Sequence, residues 1–250
     1  WCEHVPNQAA TDTLPWLVLH GGPGGSLGAG LVKPLRACQL NWFGFDQRNS
    51  GLSEDLPLED IDTQRMLDDA LAVADALGIK RFRILAGSWG STLALMLAAS
   101  TPERVGGLVL RAPFIPWRSR VDAFFATLEA LNPARFAVAF GAGSRTQAVC
   151  ESILLTQGDE QVRLCSEWAT FEEALLMNRS TVGSSGLSTG ESSPGEANPE
   201  RHSKLLRKYS LQAHFLIHDC FTSPDQWQAD LLALNQSRVP VHLVQGQTDA

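Results

Sequence analysis

An α/β fold is predicted from three observations. Short apolar runs rich in β-formers recur along the chain, helix-period segments lie between them, and one run passes through a serine flanked by small residues into a helix. Leu14–His20, Phe82–Ala86 and Val105–Leu110 are continuously apolar or bounded by Gly and Pro, the pattern of parallel strands buried on both faces; Val239–Val244 makes a fourth. Between them Met66, Leu67, Ala70, Leu71, Ala74 and Leu77 recur at steps of three and four, and Gly78 follows as a C-terminal cap. The pattern changes after Pro113. From Phe114 to about His218 the chain reads as helical pieces, Val121–Leu131 and Val162–Met177 among them, with no clear strand between. The expected organisation is a mostly parallel sheet flanked by helices, its core segments at 1–112 and 219–250, with a helical insertion at 113–218. Residues 182–198, rich in Ser, Gly and Pro and poor in apolar side chains, are expected to form a mobile surface loop. The aromatic residues Trp42, Phe43, Phe45, Trp117, Phe124, Phe125, Trp168 and Phe171 are assigned to the core by default.

Composition narrows the function. At 250 residues, with 44% apolar and 19% charged, the chain can bury a full core. No stretch approaches the roughly 18 apolar residues of a membrane-spanning helix. A net charge of −7 repels a phosphate backbone, which excludes nucleic acid as the main partner. Cys2, Cys38, Cys150, Cys165 and Cys220 are odd in number and lack the CxxC spacing of zinc or redox motifs, so reduced thiols and a cytoplasmic location are expected. His214 and His218 share a helix face, but no second ligand motif accompanies them; neither a metal nor a cofactor is expected. The chain starts at Trp1 rather than Met and stops directly after a strand-like run, so it reads as a fragment at both ends, and no signal peptide can be argued for or against. Oligomeric state is not encoded in any feature of the sequence.

The chemistry is concentrated in two stretches. In Ile84–Leu93 a strand meets Ser88 between Ala86 and Gly90, and a helix begins near Trp89. This is a nucleophile elbow, a sharp strand-to-helix turn that strains the serine backbone and needs small neighbours for close approach. The bland alternative is a turn with a helix-capping serine. The second stretch, His20-Gly21-Gly22-Pro23-Gly24-Gly25, follows the first strand; its four glycines cannot pack a core but can bring bare backbone close to a ligand. A tetrahedral oxyanion needs two aimed N–H donors, worth about 3 kcal/mol each, and Gly22 and Trp89 are the candidates. No Gly-Lys-Ser/Thr follows, so a phosphate loop is rejected.

Taken in order, His20–Gly25 (HGGPGG), Asp46–Ser53 (DQRNSGLS), Gly87–Leu93 (GSWGSTL) and Leu108–Arg111 (LVLR) resemble the motifs of the proline iminopeptidases, serine peptidases of the α/β-hydrolase fold. The resemblance runs from about Pro15 to Asp249 and is weak through the helical insertion. It departs at Ala86, where the elbow usually has Gly, and at Asn49, where the family usually has Gly; Asn is the next most tolerant residue of a left-handed turn. The resemblance implies that the insertion is a helical cap over the active site, that the substrate is a short peptide or amide with a free N-terminus, and that acidic cap residues receive its ammonium. Glu172, in Trp168-Ala-Thr-Phe171-Glu172, matches one such carboxylate; its plain alternative is a solvated helix residue. Gln212, in Ser210–Phe215, stands where the family has a second Glu, which weakens strict recognition of a proline amine. Trp89, Phe171 and Phe215 are candidates to line an apolar slot for the proline ring.

The resemblance also implies that Asp249, in Gly246-Gln247-Thr248-Asp249, is the acid of a Ser-acid-His triad. None of His4, His20, His202, His214, His218 and His242 suits the base, which is expected in residues beyond Ala250, so the chain alone should have little activity. The expected function of the whole is a serine hydrolase that releases N-terminal proline or a similar small residue through an acyl-enzyme. An esterase or amidase on the same scaffold and a catalytically silent homologue remain as alternatives.

Overall fold

The computed structural model describes residues 1–6, 14–180 and 199–246. In chain order it contains β1 (Cys2–Val5), β2 (Trp16–Leu19), α1 (Ala29–Ala37), β3 (Trp42–Phe45), α2 (Thr63–Ala76), β4 (Phe82–Gly87), α3 (Trp89–Ser100) and β5 (Val105–Arg111). There follow α4 (Arg118–Leu131), α5 (Pro133–Phe140), α6 (Thr146–Leu154), α7 (Gly158–Ser180), α8 (Pro199–Ile217), α9 (Pro224–Ser237) and β6 (Val241–Val244). The chain divides into two compact units, Trp1–Trp117 with the segment from His218 onward, and Arg118–Ile217.

The first unit is built on one sheet in the order β1-β3-β2-β4-β5-β6. Every adjacent pair is parallel except β1 with β3. Leu17, Val18, Leu19, Ile84, Leu108 and Leu110 are buried, as continuous apolar runs between two helical layers require. Helix α2 starts where Asp62 accepts the Arg65 N–H at 2.8 Å and ends at Gly78, whose φ of +71° favours glycine. Two strands escape the sequence reading. The first residues, including His4, read as a frayed start, yet they form β1, which pairs Cys2 with Phe45 and Val5 with Trp42. The aromatic run at 42–45 reads only as core, and it is strand β3; Trp42 and Phe43 are fully buried.

The reading of the last run needs a correction. The sequence predicts a buried strand with His242 pointing from it, whereas β6 is exposed along its length, with Leu243 at 66% and Val244 at 51%. Among the described residues β6 pairs with β5 alone and lies at the margin of the sheet.

The second unit consists, among its described residues, of α4 to α8 without a strand. Asn132 caps α5 by accepting the Arg135 N–H at 3.1 Å, and Pro133 takes the first helical position, where a missing N–H costs nothing. The core is aromatic. Phe125 meets Trp168 edge-on at 5.1 Å, Phe136 meets Phe171 at 5.4 Å, and Trp168 lies 5.1 Å from Tyr209. Such pairs add about 0.5–1.5 kcal/mol each to their area burial. The segment 182–198, expected to be a mobile loop, lies outside the described residues. No helix among the described residues is long and apolar enough to cross a membrane.

Candidate active site

Strand β4 runs into α3 through Ser88, whose backbone has φ 51° and ψ −122°. A non-glycine residue there carries strain on the order of 1–3 kcal/mol, and it persists only where the surroundings over-determine it. They do so here on both sides of the residue. The Ser88 N–H donates to the Arg111 carbonyl at 3.0 Å, and the Ser88 carbonyl accepts from Ser91 N–H at 2.9 Å and Phe114 N–H at 3.3 Å. The segment after β5 is in turn held by the Thr92 hydroxyl, which donates to the Phe114 carbonyl at 2.7 Å. Ser88 itself is exposed, and its hydroxyl makes no capping bond at the start of α3. The strain therefore serves to present the side chain rather than to cap a helix.

Close packing behind the turn depends on Gly90. A Cβ at that position would lie 2.2 Å from the Leu19 carbonyl oxygen, so only glycine lets α3 approach the end of β2. Ala86, the departure from the usual elbow, is fully buried in β4 opposite Leu19 and Leu110, and its methyl is absorbed by the sheet core.

The glycine loop after β2 lies against Ser88. A Cβ on Gly21 would fall 3.1 Å from Ser88 Cβ and 3.7 Å from Ser88 Oγ. Gly22, at φ +127°, turns the loop so tightly that a Cβ would sit 2.6 Å from the Gly25 nitrogen. Thus Ser88, the loop carrying Gly22, and Trp89 as first residue of α3 are brought together within one unit. Helix α3 also places the positive end of its dipole at this point, which favours negative charge there.

A buried hydrogen-bond network ties these segments to one another. His20 Nδ1 lies 2.8 Å from the Gly21 carbonyl oxygen, and Nε2 accepts the Gln47 backbone N–H at 3.0 Å. The two contacts assign the proton to Nδ1, since a carbonyl can only accept. Burial holds the His20 pKa below its ordinary value, with smaller opposing contributions from the Gly21 carbonyl and Asp46, so the ring is neutral at neutral pH. The Gln47 side chain donates through Nε2 to the His20 carbonyl at 2.9 Å and accepts the Trp89 indole N–H at 3.1 Å. The neighbouring loop is stapled by Asp46, whose carboxylate accepts N–H bonds from Leu27 at 2.7 Å and Leu52 at 2.8 Å. Asn49, at φ 51°, exchanges two bonds with the Leu56 backbone, at 2.8 and 2.6 Å, which a glycine there could not make.

In the second unit, Glu172 Oε2 accepts from Lys208 Nζ at 3.0 Å and from the Tyr209 hydroxyl at 2.8 Å. The Tyr209 pKa is pushed well up, by burial first and by Glu172 second, so the phenol remains a donor. Phe171 packs on Phe136 in the interior, Phe215 is fully buried, and Gln212 is buried on α8. The Trp89 indole is also wholly buried. All three aromatic candidates for a proline slot thus lie in the interior of their own units. Asp249, the candidate acid, falls outside the described residues. Among the described residues no group of three or more His, Cys, Asp or Glu side chains could hold a metal ion.

Sequence reasoning placed His20 in the loop without a task and overlooked Gln47. Its signal was available as an amide following an aromatic run that proves to be a strand, but a buried glutamine is recognised only when its partners are known.

A family model described as the alpha/beta hydrolase fold matches residues 15–250. The chain is 36% identical over 115 residues to the proline iminopeptidase of Arabidopsis thaliana, covering 46% of this chain and 30% of that protein. It is 38% identical over 105 residues to the proline iminopeptidase of Neisseria gonorrhoeae, covering 42% and 34%. With that of Xanthomonas citri it shares 31% over 176 residues, covering 64% and 54%. The matches thus span less than two thirds of these relatives' own lengths. Among solved structures, a haloalkane dehalogenase variant from Bradyrhizobium elkanii superposes with a TM-score of 0.57 at 20% identity, covering 99% of this chain and 80% of that one. The epoxide hydrolase VrEH1 from Vigna radiata gives 0.52 at 17% identity, covering 95% and 73%. At such identities these structures speak for the fold alone. The chain belongs to the alpha/beta hydrolase fold family, and the curated relatives it resembles here are proline iminopeptidases.

Proposed function

We propose that this chain carries the nucleophile and oxyanion site of a serine hydrolase that releases an N-terminal proline, or a similar small residue, from short peptides or amides. The observation that supports this reading best is Ser88, exposed and strained at φ 51°, with the backbone of the glycine loop against its hydroxyl. In the reaction Ser88 Oγ attacks the substrate carbonyl while its proton passes to a general base. The N–H groups of Gly22 and Trp89 receive the oxyanion, the amine leaves with a proton, and water then releases the acyl group. Asp249 orients a general-base histidine and compensates its charge. His20 is not that base, because both of its ring nitrogens are engaged in the loop. Glu172 receives the substrate ammonium in exchange for that of Lys208, which it holds at 3.0 Å. Five free cysteines support residence in a reducing compartment, the cytoplasm.

The test is hydrolysis of proline naphthylamide by the full-length protein. Ser88→Ala is expected to lower kcat by about 1,000-fold or more; activity at the wild-type level rejects the mechanism. An esterase or amidase is the second reading, favoured by the neutral Gln212 and by the internal pairing of Glu172 with Lys208. Equal or better turnover of an uncharged acyl ester than of a proline amide of similar size supports that alternative.

A further inference from the structure

We infer that Gln47 is a positioning residue that sets the distance between the two halves of the oxyanion site. The inference rests on the reading of Ser88 as nucleophile and goes beyond it by naming what holds the donors in register.

One proposed donor, Gly22, lies on the loop that begins at His20; the other, Trp89, begins α3. These segments come from different strands, so their separation is not fixed by local backbone geometry. Gln47 touches both. It is 1% exposed, and its three hydrogen bonds run to the His20 imidazole, the His20 carbonyl and the Trp89 indole. Its planar side-chain amide is a strut with a donor at one end and an acceptor at the other. Glutamine suits both ends at once: a carboxylate lacks the donor for the His20 carbonyl, an aliphatic chain lacks both groups, and asparagine is one methylene shorter. Because the site is buried, each lost partner leaves a polar atom unsatisfied in a low-dielectric interior, and the segments must shift to recover it.

The consequence follows from the tolerance of such a site. Oxyanion donors act only within a narrow range of distances, and a displacement of about 1 Å can cost on the order of 100-fold in rate. A strut that moves the donors without touching substrate should change the transition state more than substrate binding. Its loss lowers kcat and leaves KM nearly unchanged.

The experiment uses the full-length protein with Gln47→Met, Trp89→Phe, the double variant and Ser88→Ala. Turnover of p-nitrophenyl acetate and of proline p-nitroanilide is measured per folded molecule, the folded fraction being taken from urea denaturation. Gln47→Met is expected to lower kcat by about 10- to 100-fold on both substrates, with KM within about twofold. Trp89→Phe removes one end of the strut from the opposite side and should lower kcat less, and the double variant should be no worse than Gln47→Met. A Gln47→Met kcat per folded molecule within about twofold of wild type overturns the inference, as does a loss confined to KM or a double variant in which the two losses multiply. If Ser88→Ala is inactive while Gln47→Met is unimpaired, the positioning role alone fails. If Ser88→Ala retains full activity, the nucleophile reading fails and takes the positioning role with it.

Discussion

The turn at Ser88 and the carboxylate at Glu172 are both held by neighbouring groups, but by different means. At Ser88 the backbone does the holding: a positive φ, glycines at 22 and 90 that no side chain could replace, and carbonyl bonds on either side of the serine. At Glu172 side chains do it, through Lys208 and Tyr209, which lie 36 and 37 residues further along the chain. A site made from backbone leaves local marks in sequence, because glycine and small residues must stand at fixed offsets. A site made from side-chain pairs leaves none until the pairing is known.

The largest expected effect that separates the two comes from filling the backbone site. Gly90→Val would press its side chain into the Leu19 carbonyl, and it is expected to cost about 3 kcal/mol or more in urea denaturation. Unchanged stability would break the claim that close approach of α3 to β2 is required. Next comes the pH response of His20. Its folded pKa lies below the ordinary value of about 6.5, so the unfolded chain takes up the proton first. The stability His20 contributes is complete above about pH 6.5 and is lost as pH falls towards the folded pKa. The wild-type Tm should therefore fall between about pH 7 and pH 5 more steeply than that of His20→Gln; identical slopes would contradict a neutral buried ring.

Smaller effects sharpen the contrast. A Cβ at Gly30 in α1 meets nothing within 4 Å, so Gly30→Ala should stabilise by about 0.5–1 kcal/mol, opposite in sign to Gly90→Val. Lys208→Met removes a partly exposed partner of Glu172, with side chains 34% and 24% exposed, and should change stability by less than about 1 kcal/mol. Its sharper readout is KM: freed of its internal ammonium, Glu172 should lower KM for proline p-nitroanilide and leave that for p-nitrophenyl acetate unchanged. A KM that moves equally for both substrates would remove Glu172 from the reading of the amine.

How much was legible follows the same division. The strand-turn-helix around Ser88 and the glycine loop could be read directly, since strain and close approach dictate residue type at each offset. Asn49 was read as a residue suited to a left-handed turn, and it stands at φ 51°. What could not be read were features set by distant partners. The antiparallel pairing of β1, for example, needs β3 to exist first. Gln47 is a further instance: one letter in a loop motif, given meaning only by His20 and Trp89.

The most direct measurement is covalent labelling of the full-length protein with a fluorophosphonate, followed by peptide mass spectrometry. A single adduct on the Ser88 peptide, absent from Ser88→Ala and slowed in Gln47→Met, is the predicted result. An adduct on another serine, or none on protein that hydrolyses proline naphthylamide, would contradict the assignment of Ser88 as the group that attacks.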